Sequence, residues 1–117
     1  MKKVYVSELD KNLDELDELL KKVEVVEAIE ESTDVLVVPG GMGAFSDIFK
    51  AKKLNKNLFV YNKDMYYSGL ISNLYKGHLE GYIDGSPSEY MHIESDIKEI
   101  ERNMEEDYGK TNNGQTR

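Results

Sequence analysis

Apolar positions along this chain change period several times, and each change marks a predicted element. Residues 4–7 form a short apolar run that predicts a strand. Apolar residues then recur at Leu13, Leu16, Leu19, Leu20, Val23, Val26 and Ile29, and steps of three and four predict an amphipathic helix. Within that stretch, residues 23–26 are rich in β-branched side chains, which also fits a break or a short strand. The run Val35-Leu36-Val37-Val38 is apolar without alternation, as in a strand buried on both faces of a parallel sheet.

A helix is predicted over 44–54, a turn over 55–57 and a third strand over 58–61. Ser68 caps the next predicted helix, with Ile71, Leu74, Tyr75, His78 and Tyr82 on one face. Asp84-Gly85-Ser86-Pro87 reads as a loop and 90–93 as a fourth strand. Ile97, Ile100 and Met104 stripe a final helix, and the polar stretch 109–117 lacks any period and reads as a disordered tail. Strand and helix alternate throughout, so right-handed crossovers and a parallel sheet with helices on its faces are expected over one domain, 1–108. Ligands of such sheets sit beyond the carboxyl ends of the strands. Here those ends are Ser7-Glu8, the segment 39–43, the segment 62–64 and the segment 94–96.

Composition narrows the partners. The chain has 117 residues and a formal net charge of -8, with 32% of residues charged. That balance argues against nucleic acid or an anionic membrane, both of which reward Lys and Arg. Lys50, Lys52, Lys53 and Lys56 form a local basic cluster that reads as a solvated helix face. There is no cysteine and there are two histidines, so no metal site is expected, and a reducing cytoplasm is the expected location. The start Met1-Lys2-Lys3-Val4-Tyr5-Val6 carries too short an apolar run for a signal peptide and reads as a first strand.

The candidate chemistry lies at Pro39, Gly40, Gly41, Met42, Gly43 and Ala44, between a buried strand and a helix. This order offers backbone N–H groups at a helix N-terminus, where a phosphate is stabilised. The glycines permit positive φ and close approach of a ligand to the backbone. The segment is no dinucleotide fingerprint, because Ser46 occupies the third glycine position counted from Gly41, and no Gly-Lys-Ser/Thr follows as in a Walker A loop. A plain strand-to-helix turn has the same spacing.

Asp47 is a candidate carboxylate, and equally an acid that complements the dipole of the following helix. Ser7, Asn62 and Asp64 stand at strand ends where ligands bind, although Asn and Asp also serve ordinary turns. Tyr66 and Tyr67 suit either base stacking or packing at a helix start, and His78 and His92 read as packed residues.

Pro39-Gly40-Gly41-Met42-Gly43-Ala44-Phe45-Ser46-Asp47 resembles the P-G-G-x-G-T-x-x-E motif of the Lonely Guy (LOG) family, cytokinin-activating phosphoribohydrolases of a Rossmann-like superfamily also labelled lysine-decarboxylase-like. Asn62-Lys63-Asp64-Met65-Tyr66-Tyr67 is similar to its Asn-x-Asp-Gly-Phe/Tyr-Tyr segment, and His78-Leu79-Glu80-Gly81-Tyr82-Ile83 to its Glu-Glu-Gly-Phe-Ile segment. The likeness runs in order over residues 32–106.

Family membership would imply a small Rossmann-like sheet, here of about four strands with helices on both faces. It would also imply a nucleotide-derived ligand, no cofactor, and a homodimer or larger homo-oligomer with sites near subunit interfaces. Related sensing domains in bacterial immunity bind ADP-ribose-type signals, which suggests capture of such a signal, as a phage anti-defence sponge would do.

The departures bear on activity. The family's Thr falls on Ala44, its Glu on the shorter Asp47, and its catalytic Arg has no counterpart in 23–31. Family members also carry a glycine-rich turn after the first strand, where this chain has Val6-Ser7-Glu8-Leu9-Asp10. These losses favour binding without turnover. The alternative is a nucleoside 5′-monophosphate phosphoribohydrolase in which Asp47 supports the oxocarbenium-like sugar.

Overall fold

Five parallel strands build the sheet in the computed structural model, which describes residues 1–9 and 13–112. The strands are β1 (Lys3–Val6), β2 (Glu24–Val26), β3 (Asp34–Val37), β4 (Asn57–Tyr61) and β5 (Met91–Glu94), in the order β2-β1-β3-β4-β5. Helices α1 (Asp17–Leu20), α2 (Met42–Lys53), α3 (Ser68–Leu79), α4 (Pro87–Tyr90) and α5 (Ile97–Asn112) connect or follow them.

Alternation along the strands divides the core in two. Val4, Val6, Leu36, Val38, Phe59 and Tyr61 pack with Leu16, Leu19, Ile97, Ile100 and Met104 on the α1 and α5 face. Val35, Val37, Leu58 and Val60 pack with Ala44, Ile48, Ala51 and Leu74 on the α2 and α3 face. The protein is therefore a small Rossmann-like α/β fold with helices on both faces of a parallel sheet. Every residue of β3 is buried, as its unbroken apolar run predicts.

Several expectations are corrected. The helix expected from Leu13 to Ile29 ends at Leu20, after a short 3-10 turn at Asp14–Leu16. Glu24–Val26 instead adds an edge strand beside β1, which makes five strands rather than about four. β-branched side chains favour the extended pairing, and β1 offers an edge to accept it. Tyr82 does not share the apolar face of α3: that helix stops at Leu79, Gly81 takes φ +85, and Tyr82 is 83% exposed. Ile83 folds back instead, so close to Gly77 that a Cβ there would meet Ile83 Cδ1 at 2.6 Å. α5 continues to Asn112, into the stretch expected as a tail, and residues 113–117 of that stretch lie outside the described residues.

The amino ends of the strands are held by a buried ion pair. Lys2 Nζ lies 2.8 Å from Asp34 Oδ2, and Asn57 Nδ2 donates to Asp34 Oδ1 at 3.2 Å. Among the described residues, no helix is long and apolar enough to cross a membrane, and no group of three or more His, Cys, Asp or Glu is placed to hold a metal ion.

Candidate functional site

The strand order reverses direction between β1 and β3, and β3 is followed by the glycine turn. In doubly wound sheets this switch point opens the crevice in which ligands bind. β1 and β3 are tied together where they enter it. Ser7 is fully buried; its N–H donates to the Leu36 carbonyl at 3.0 Å, and its Oγ accepts from the Val38 N–H at 3.0 Å. Ser7 thus fixes the height of the turn.

Two tyrosines clamp the turn from the other side. The Tyr67 hydroxyl donates to the Val38 carbonyl at 2.5 Å, and the Tyr66 hydroxyl to the Gly40 carbonyl at 2.5 Å. Tyr67 is fully buried and meets Phe45 edge-on, with ring centroids 5.7 Å apart. Burial pushes its phenol well above the ordinary range, so it stays a neutral donor. Of the two uses weighed for Tyr67, packing at a helix start is the one found.

Asn62 organises the segment that carries both tyrosines. Its Oδ1 accepts from the Tyr67 N–H at 2.6 Å, and its Nδ2 donates to Ser68 Oγ at 3.2 Å. Asp64 is exposed, with φ 54 and ψ 29, and Met65 follows at φ 61. Two successive left-handed residues without glycine are sterically costly and turn the chain sharply there.

α2 begins at Met42, with Gly41 as its N-cap and no side-chain cap bond. None of Gly40, Gly41 and Gly43 is among the positive-φ residues, so the expected conformational use of these glycines is corrected. Gly40 is explained by contact: a Cβ there would lie 2.8 Å from Glu8 Cγ and 2.9 Å from both Cδ and Oε1. No such contact accounts for Gly41 or Gly43, although Gly41 as the N-cap of α2 holds a position that suits glycine. A Cβ at Gly41 would meet nothing within 4 Å, and one at Gly43 would only touch Glu8 Oε2 at 3.8 Å. Gly41, Met42 and Gly43 are exposed, and Ala44 is buried beneath them in the α2 core.

Asp47 sits on α2 and accepts from the Tyr5 hydroxyl at 3.3 Å. Burial raises its pKa above the usual carboxylate range, and the Glu8 charge adds to that; the Tyr5 hydrogen bond and Lys50 pull the other way. Tyr5 is raised too, first by burial and then by Asp47. The site therefore holds two carboxylates, from the end of β1 and from α2, beside the glycine turn.

Magnitudes decide what such a site accepts. A helix N-terminus stabilises an anion by about 0.3–1 kcal/mol at an exposed position. Two like charges about 4 Å apart at an effective dielectric of about 20 repel by about 4 kcal/mol. By these magnitudes, an uncompensated carboxylate beside a helix terminus outweighs the terminus alone.

Glu8 and Tyr5 are the site residues that sequence reasoning missed as individuals. Glu8 was legible only as the residue after a strand, and the Tyr5 contact joins positions 42 residues apart. Three of the four lysines of the basic cluster are engaged locally: Lys50 pairs with Glu30 at 2.8 Å, Lys56 donates to the Ser32 carbonyl at 2.7 Å, and Lys52 lies over the Tyr90 ring at 4.7 Å. His92 stacks on Phe59 with centroids 4.7 Å apart, and His78 Nδ1 lies 3.2 Å from the Ile83 carbonyl oxygen, in keeping with packed roles.

A groove of about 710 Å³ opens between α1 and α5 and includes Tyr61 and Asp96. Its rim is occupied by ion pairs, among them Lys22–Glu101 and Arg102–Glu99. No known protein-family model matches this chain, and no curated protein matches it either.

Proposed function

We propose that this protein binds a phosphorylated nucleotide or a nucleotide-derived, ADP-ribose-type signal on its glycine turn, without turnover. One observation carries the reading. Gly41 and Gly43 stand bare at the start of α2, and neither a positive φ nor a crowded neighbour inside the chain requires glycine at either place. Close approach of a ligand backbone group or phosphate is a use that such bareness serves. Ala44 would support the turn from below, with Pro39, Gly40 and Met42 in its wall and Ser7 and Asn62 holding it, while Asp47 and Asp64 address sugar and base.

The resemblance to the LOG-like superfamily supports the same ligand class. Met65, at the position of that family's glycine, has the left-handed φ of 61 that a glycine would adopt easily. Exposed Met42 and Tyr66 beside the turn suit a homodimer in which a partner covers the bound molecule. A cytoplasmic protein that sequesters such a signal would act as an anti-defence sponge if phage-encoded.

The second reading, a nucleoside 5′-monophosphate phosphoribohydrolase, draws on Asp47. A carboxylate held partly out of water next to a sugar can stabilise oxocarbenium character. Mass spectrometry separates the two. After incubation with nucleoside monophosphates and ADP-ribose derivatives, washing and heat denaturation, an intact ligand released at near-stoichiometric amount supports the binder. Free base accumulating over many turnovers supports the hydrolase. A Cβ at exposed Gly41 would meet nothing within 4 Å, so in Gly41→Val the fold should persist while binding is lost. Unchanged binding in that variant would remove the glycine turn from the site.

A further inference from the structure

The outer face of α3 departs from the rest of the surface. Residues 65–79 hold no acidic residue and a single Lys, in a chain of which 32% is charged. The outward positions of the helix are Gly69, Ser72 and Asn73, then Tyr75, which is 37% exposed, Lys76, and Leu79, which is 81% exposed. Lys76 pairs with Glu80 of its own chain at 2.9 Å, so the face is close to neutral. A surface helix ordinarily carries its charge on the side away from the core.

The end of α3 holds a further apolar group in place. The Gly81 N–H donates to the His78 carbonyl at 3.1 Å and the Tyr82 N–H to the Gly77 carbonyl at 2.9 Å, the two bonds of a Schellman cap. In such a cap the residue in the place of Tyr82 commonly packs back onto the helix. Here Ile83 fills the space over Gly77, and Tyr82 stands out into solvent just past Leu79. Its backbone is already fixed, so covering its ring costs little further ordering. α3 runs back from the carboxyl end of β4 towards the amino end of β5, which sets Leu79 and Tyr82 at the end of the sheet away from the glycine turn.

We infer that the ligand-free protein dimerises through this outer face of α3, with a second copy of the chain as the occupant. Two observations choose that partner. The first is area. At about 150–250 Å² for a large side chain, the exposed parts of Tyr75, Leu79 and Tyr82 offer about 400 Å² of mostly apolar surface. That is about half of the roughly 800 Å² that a stable interface takes from each partner, and Gly69, Ser72, Asn73 and the Lys76 stem border it. The second is charge. Each copy carries a net -8, so two copies repel except where acid is missing. A neutral patch is matched by another neutral patch, and two-fold symmetry supplies the same one from the partner. A basic protein would be drawn to the acidic faces instead. The inference is independent of any ligand on the glycine turn.

Sedimentation velocity over a dilution series of the ligand-free full chain tests this on wild type, Leu79→Glu, Tyr82→Glu and Met42→Glu. Leu79 and Tyr82 are exposed, so these changes leave the core intact. Tyr82→Ser, which adds no charge, serves if circular dichroism shows that a glutamate variant folds poorly. Met42 is equally exposed but lies beside the glycine turn. The expected result is a dimer in wild type and Met42→Glu that comes apart on dilution, with association weakened by about tenfold or more in both α3 variants. Added salt should tighten the wild-type dimer, because screening weakens the repulsion between like-charged bodies. A wild type that stays monomeric leaves the face to another partner and overturns the proposal. So does a dimer that persists undiminished in the α3 variants, or one that Met42→Glu dissolves.

Discussion

Gly40 and Glu8 are fitted to each other: the space where a Cβ of residue 40 would stand is filled by the Glu8 side chain, 2.8 Å away at Cγ. The contact joins the end of β1 to the turn after β3 across the switch point of the sheet. It also separates Gly40 from its two neighbouring glycines, which neither a positive φ nor a close contact accounts for, although Gly41 serves as the N-cap of α2. Gly40→Ala should therefore push the half-buried Glu8 side chain aside and destabilise the protein by about 0.5 kcal/mol. The same change in a Glu8→Ala background should cost nothing. A double-mutant cycle read by urea denaturation should give a coupling of about 0.5 kcal/mol, and additivity would show that the contact contributes nothing.

Asp47 predicts a dependence of stability on pH. Its raised pKa means that the folded state holds the proton more tightly than the unfolded chain. Stability then falls as pH rises from the ordinary value of 3.8 through the raised one. Asp47→Asn removes that loss and keeps an acceptor for Tyr5. The variant should be more stable than wild type at pH 7 by up to about 1 kcal/mol. The gain should vanish near pH 3, where Asp47 is protonated in both states. Thermal melts at the two pH values measure it, and ligand affinity should fall as stability rises.

Met65 is 71% exposed with φ 61, so its side chain contributes little packing while its backbone is strained. Met65→Gly relieves about 1–2 kcal/mol of left-handed strain and gives back about 0.5–1 kcal/mol through the freer unfolded chain. A net gain of about 0.5–1 kcal/mol in chemical denaturation is expected, and a loss would mean that the exposed Met65 side chain holds the loop.

At the amino ends of the strands, Asp34 is fully buried beside Lys2 and Asn57. Lys2→Met leaves that carboxylate without its cation and should cost about 3 kcal/mol. Adding Asp34→Asn should recover part of the loss. Equal stability of the single and double variants would show that the pair is not what holds this end of the sheet.

Elements with a strong local signal were legible in the chain. The unbroken run at residues 35–38 announced a doubly buried strand, and the change from apolar run to glycine cluster located the turn before α2. Residues 23–26 were ambiguous, because helical spacing continued into them while β-branching opposed it. The open edge of β1, which no local window contains, decided the outcome. The site was legible as a place and less so as a set of contacts. Asn62 and Asp47 were singled out by type, but the reach of Glu8 over Gly40 and of Tyr66 and Tyr67 to the turn's carbonyls depends on how distant segments meet.

An all-parallel sheet has a further consequence for this molecule. No strand pairs with a near neighbour through a hairpin; even β1 and β2, the pair closest in sequence, need a crossover of more than a dozen residues. Such long-range pairing makes folding slow for the chain's size. The glycine turn comes to rest beside Glu8 only after β1 and β3 have paired. A partly folded chain therefore has no assembled turn, and a molecule that binds the turn, as proposed, would act as a reporter on, and a brace for, the completed sheet.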